Sequence, residues 1–261
     1  MDDNLMSCWR LIYFEISDLA MNKSHLQKIQ GDLRRIISST DYYFGTASPQ
    51  GTHEFIKQYD IDQFEKLAYV TFLLRLRANS ISVKTLLDTN AINSWPLCHH
   101  SVAILMRSSL LDCLCVMAWS NDRDFVRQLL ADSFNNLGKN KLWKLSDIQK
   151  ENLNRLRDMF CNSKIDIRPA KILELAGDEA LPVYLLYDLY SKSDHFSVLD
   201  SMVFKMSCED QLTFLEQAVL VVIETTKALY LMFEQDRMRC NVLITKLGRS
   251  QQYSPDVPTS T

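Results

Sequence analysis

Tyr184, Asp188, Ser191 and His195 follow one another at intervals of four, three and four residues. An α-helix turns by about 100° per residue, so these intervals place the four side chains within about 60° of arc. The stripe holds a phenol, a carboxyl, a hydroxyl and an imidazole, one of which titrates near neutral pH. Leu185, Leu189 and Phe196 fall on another face. The stripe therefore looks either to water or into a polar pocket. Tyr187, Tyr190 and Phe196 flank it and give it the composition of a lined groove.

A second set of polar residues lies in PLCHHSVAILMRSSLLDCLCVMAWS, residues 96–120. Apolar residues surround this helix on a helical wheel, as in a helix buried on most sides. It still carries Arg107 and Asp112. A buried charge needs a partner. Arg107 lies within about 20° of His100, whereas Asp112 lies about 140° from Arg107. Each charge is thus expected to be buried and to pair with another helix.

Joined, the two stripes form one candidate ligand-binding set: His100, Arg107, Tyr184, Asp188, Ser191 and His195. A cation, a base and hydroxyl donors suit a phosphate or another acidic group. In a catalytic version, His195 is the general acid or base and Arg107 clamps a phosphate.

The segments RSSLLD and YDLYSKSDHFS resemble a family of uncharacterised bacterial helical proteins with an Arg-led helix and a later Tyr–Ser–His segment. That family is similar in organisation to the HEPN helical proteins, which include toxin and phage-defence ribonucleases. The resemblance spans residues 96–197. It matches Arg107, Ser191 and His195 to the family positions, with Asp112 one residue beyond the acid. One residue turns a helical side chain by about 100°. The active HEPN signature, Arg followed four to six residues later by His, is absent from the chain. The resemblance implies an all-helical protein of defence or toxin type.

Composition narrows the classes. The chain has 261 residues, 47% of them hydrophobic, with only 6 Gly and 6 Pro. Low glycine disfavours parallel α/β folds, whose turns use it. A net charge of −3 removes the broad basic footprint of a nonspecific nucleic-acid binder. The 7 cysteines are odd in number and mostly sit in apolar helical patterns, which predicts reduced, buried thiols and a cytoplasmic protein. Cys113 and Cys115 point about 200° apart on a helix and cannot share a metal. The adjacent Cys98, His99 and His100 diverge similarly. No metal and no cofactor are expected. The acidic start MDDN predicts no secretory leader. Residues 214–233 come nearest to a membrane span, but Glu216, Glu224 and Lys227 interrupt them, so no membrane partner is expected.

The pattern predicts an all-α fold, a helical bundle of roughly eight to ten helices. Residues 1–249 form a single domain and 250–261 a disordered tail. Helices are expected over 3–20, 23–39, 61–79, 96–120, 122–137, 145–160, 168–176, 179–195 and from Ser207 to about Glu234. A short turn is expected at 82–87 and a polar loop over 40–55. Asp60 or Asp62, Asp122 and Ser146 are the expected N-caps, with Gln149 completing a capping box. Gly177 is an expected stop.

These features support three readings. The first is a binding or regulatory protein of defence or toxin type, holding a nucleotide, RNA or an acidic ligand in a polar interhelical groove. The second is a divergent metal-independent ribonuclease. The third is an oligomeric scaffold without a small-molecule site, and two long apolar helices make a homodimer plausible.

Overall fold

The computed structural model describes residues 23–44, 49–58, 61–88, 95–137, 146–151, 154, 168–199 and 208–251. Among them the fold is all-α with no strand. The helices are α1 Lys23–Phe44, α2 Pro49–Lys57, α3 Gln63–Asp88, α4 Trp95–Asn121, α5 Phe125–Leu137, α6 Pro169–Ala176, α7 Leu181–Leu199 and α8 Cys208–Gln251. A 3₁₀ turn, Asp178–Ala180, leads into α7. The expected helix over 3–20, most of that over 145–160, the Ser207 cap and the tail beyond Gln251 lie outside the described residues.

Short-range signals explain most boundaries. The Asp62 carboxylate accepts a bond from Phe64 N at 2.9 Å and opens α3. Asp122 does the same for Asp124 N at 3.0 Å, ahead of α5. The capping box forms in both directions: Ser146 N donates to Gln149 Oε1 at 2.9 Å, and Gln149 N donates to Ser146 Oγ at 3.3 Å. Gly177, at φ 83°, ends α6 with its N–H on Leu173 O. Asn121 Nδ2 also donates to Ala176 O at 2.8 Å, tying that end to α4.

Two expected breaks are corrected. Residues 61–79 and 82–87 belong to one helix, α3, without interruption. Its serine and threonine hydroxyls turn back onto their own helix, Ser80 Oγ to Leu76 O at 2.7 Å and Thr85 Oγ1 to Ile81 O at 2.9 Å. The polar residues that suggested a break therefore stay within the helix. The loop expected over 40–55 is also partly helical. α1 runs on to Phe44, and α2 begins at Pro49, where proline's fixed φ suits the first turn. Burial of Ile56 and contact of Phe55 with Phe233, 6.2 Å between ring centres, hold α2 in place.

α4 is the hub. It touches α3, α5, α6, α7 and α8, and its contact with α7 is the most extensive in the fold. Residues 100–121 are also the one described stretch long and apolar enough to cross a membrane, and they lie mostly inside the bundle. The expected stretch at 214–233 does not meet that standard.

Trp119 of α4, fully buried, packs on Tyr69 of α3 with 4.6 Å between ring centres. Tyr69 meets Phe233 of α8 edge-on at 5.6 Å. The Tyr69 hydroxyl donates to Asp236 Oδ2 at 2.6 Å. Arg123 Nη1 donates to the same oxygen at 3.3 Å, and its guanidinium lies 5.7 Å from the centre of the Trp119 ring. Burial, then the bond to Asp236, pushes the Tyr69 hydroxyl far up, so it remains a neutral donor. The knot ties α3, the α4–α5 corner and α8 together. The segment DRMRCNVLITKLGR continues α8 and begins with this buried acid.

Tyr69→Phe keeps the ring packing and deletes one bond to a charged acceptor. Stability should fall by about 1.5–3 kcal/mol. Urea unfolding checks this through a lower midpoint at unchanged slope. An unchanged midpoint would show that Arg123 alone satisfies Asp236.

Candidate functional site

α2 and α3 meet at a pocket of about 490 Å³ lined by His53, Ile56, Lys57, Lys66 and Leu67. His53 and Lys57 are one helical turn apart, so α2 presents both on one face. Lys66 comes from the first turns of α3. Buried Ile56 and partly exposed Leu67 supply the apolar part of the lining. No acidic residue is among the described residues that line the pocket, and no described acid pairs with any of the three basic groups. In a chain of net charge −3 this is a local excess of positive charge. The volume falls within the range of about 300–1,000 Å³ typical of ligand sites. Two ammonium groups and an imidazole suit an anion with several acceptor oxygens.

A second cavity, about 250 Å³, lies between α3, α4, α5 and α6. Its walls include Phe72, Leu111, Val126, Leu129, Leu130 and Ile172, with Arg75, Asp112 and Cys115 beside them. α3 and α4 run antiparallel here: Arg75 Nε lies 3.1 Å from Asp112 Oδ2, whereas one turn further along α3 Asn79 Nδ2 donates to Leu105 O at 3.4 Å, two turns back along α4. Arg75 Nη2 also donates to Ser108 Oγ at 3.1 Å. The Asp112 side chain is 3% exposed and that of Arg75 51%. Arg75 Nε approaches Asp112 Oδ2 to 3.1 Å, an ion-pair distance, yet this buried oxygen accepts no well-directed hydrogen bond. Burial raises the Asp112 carboxyl to about 7, and the nearby Arg75 guanidinium only partly opposes it. Asp112 thus pairs across to another helix, as its place on an apolar helix implied.

The residues singled out from sequence sit on α4 and α7. Val183, at the start of α7, lines a pocket with Val116, Met117 and Ser120, at the end of α4, so the two helices run antiparallel. Arg107 is half-buried rather than fully buried, because its position borders the core instead of facing it. His100 is half-buried, and its buried Nδ1 has no hydrogen bond. Tyr184, Asp188 and Ser191 are half-buried along the flank of α7, and Asp188 pairs with Lys192 one turn on. The buried face of α7 is Val183, Leu186, Tyr187 and Tyr190. The last two tyrosines are therefore core residues rather than groove lining. His195 belongs to α7, but its side chain, and with it any approach to Arg107, lies outside the described part. None of the other five residues lines the 490 Å³ or the 250 Å³ cavity.

Sequence reasoning missed His53, Lys57, Lys66 and Arg75. The first two fell in an expected loop. A usable signal was present in Pro49 followed by His53 and Lys57 at helical spacing. Arg75 carried no signal, since only its meeting with Asp112 distinguishes it.

The raised Asp112 carboxyl has a consequence for stability. Its ordinary value is 3.8 and its folded value about 7. Between these limits the unfolded chain loses the proton while the folded chain keeps it. Stability contributed by the protonated form is thus full below about pH 4 and falls as pH rises to about 7. Asp112→Asn should flatten that part of the pH–stability curve. Chemical denaturation of both proteins from pH 4 to 8 checks it, and parallel curves would place Asp112 in a solvated setting.

No family model matches the chain, and no curated protein or solved structure matches it either.

Proposed function

We propose that the protein is a helical binding protein for a small phosphorylated ligand of mononucleotide size, held in the pocket between α2 and α3. The observation that carries this reading is the convergence of His53, Lys57 and Lys66 on one 490 Å³ pocket with no acidic residue among the described residues of its lining. Phosphate oxygens accept from the ammonium groups and the imidazole. A flat apolar body, such as a base, rests on Leu67, where exposed apolar area leaves water. A binding protein of this kind suits a regulatory role of defence or toxin type, the class implied by the resemblance at Arg107, Ser191 and His195.

The test is equilibrium binding of a fluorescent mononucleotide to the full chain. Wild type should bind, more weakly as salt rises, because exposed charge pairs are screened. Lys57→Gln combined with Lys66→Gln should weaken binding about tenfold or more, since two charge-assisted contacts are lost. Circular dichroism should be unchanged. The corresponding unphosphorylated nucleoside should bind no better to wild type than to the double variant. Equal mononucleotide affinity in both proteins, or none in wild type at millimolar concentration, overturns the reading.

A further inference from the structure

We propose that the cavity between α3, α4, α5 and α6 is a second ligand site, built for a small apolar molecule whose head carries an ammonium and a carboxylate side by side, as in an apolar α-amino acid. This proposal is independent of the phosphate pocket and shares no residue with it.

The argument starts from Asp112. An acid that serves only to fix helix register has its oxygens satisfied, because an unmatched buried polar atom is destabilising. Asp112 Oδ2 is buried and accepts no directed hydrogen bond, although Arg75 Nε stands 3.1 Å away. It is a fixed acceptor beside a mostly apolar cavity, and it calls for a donor from the ligand. Burial holds its carboxyl near 7, which fits an acid still lacking a well-placed partner.

Arg75 is its counterpart. Half of its side chain is exposed, and it reaches the cavity from the solvent side. It can swing toward a ligand's acid without leaving a buried void. Ser108 Oγ, already 3.1 Å from Arg75 Nη2, offers a further hydroxyl at the same place.

Three kinds of head group can be compared. A lone carboxylate draws Arg75 away and leaves Asp112 buried without a counter-charge, which is unfavourable. A lone ammonium satisfies Asp112 but adds nothing at Arg75. A molecule with both groups exchanges one poorly directed ion pair for two well-directed ones. The rest of the lining is mostly apolar, led by Phe72, Leu111, Val126, Leu129, Leu130 and Ile172, with Thr71 as a further polar residue. At about 250 Å³ it is smaller than the sites of about 300–1,000 Å³ that hold drug-sized ligands. A short branched or aromatic side chain suits that space, and a nucleotide does not.

The experiment is calorimetric titration of the full chain with three probes sharing one apolar body: L-leucine, isoamylamine and 4-methylpentanoate. Leucine should bind to wild type about tenfold or more tightly than either single-headed probe, as expected when one charge-assisted contact is missing. Asp112→Asn should erase leucine's advantage over 4-methylpentanoate, and Arg75→Gln its advantage over isoamylamine. Leu129→Trp, which fills the cavity with an apolar side chain, should abolish binding of all three. The wild-type comparison needs no variant, so it stands even if a substitution impairs folding. No binding of any probe at millimolar concentration overturns the proposal. So does leucine binding no better than isoamylamine, or leucine binding that Leu129→Trp leaves unchanged. Mononucleotide binding at His53, Lys57 and Lys66 is unaffected by any of these results, so the two sites fail separately.

Discussion

Enclosing α4 is the constraint on which the other helices depend. A helix with apolar residues on every face must be surrounded, and five other helices surround this one. Each polar residue on it must then be matched locally or left at an edge. Ser109 bonds back to Leu105 O and forward to Asn79. Asp112 meets Arg75. Arg107 stays half-buried at the margin of the core. Only Trp119 Nε1 and Asp112 Oδ2, among the fully buried side-chain atoms of α4 outside its first turns, lack a hydrogen-bond partner. The indole is held by its ring neighbours, Tyr69, Phe72 and Arg123. The carboxylate has only the Arg75 guanidinium 3.1 Å away without a directed hydrogen bond, which sets it apart from a fully satisfied anchor.

The Tyr69–Asp236–Arg123 knot extends that enclosure to α8. Its members come from places 69, 123 and 236 in the chain and meet at one oxygen. Glu65 lies 3.9 Å from Arg123, and burial pushes its carboxyl up, with Asp236 adding to the effect. A second contact pins the other end of α8: Glu216 accepts from His25 Nε2 at 2.7 Å and pairs with Lys28. Lys28 and His25 in turn hold the Glu216 carboxyl below its ordinary value despite its burial. Between these two contacts α8 packs against α1, α3 and α4, and α3 lines both cavities.

Sequence and structure agree where the physics is local. The Ser146–Gln149 capping box and the Gly177 stop depend on residues within one turn, and both form as their spacing implies. Burial of Cys113 and Cys115 followed from an apolar wheel, and both are buried free thiols whose ionisation burial pushes up to about 12. Agreement fades where two helices must meet. The stripe Tyr184–Asp188–Ser191 shares a face, as the wheel required, but that face is the flank of α7 rather than its packed side. A wheel states which residues lie together on one helix. It does not state which way the helix is turned.

The all-α class, most of the helical segments, the caps at Asp62, Asp122 and Ser146 and the need to enclose α4 were therefore determined by the sequence itself, because period, capping and hydrophobicity act over a few residues. The tertiary structure alone decided which charges meet. Arg75 and Asp112 are 37 positions apart in number and reach 3.1 Å because α3 and α4 pack antiparallel in one particular register. His53 and Lys57 join Lys66 because α2 forms and turns one face toward α3. Rotation and register of packed helices depend on the fit of the whole core, so no short stretch of chain encodes them.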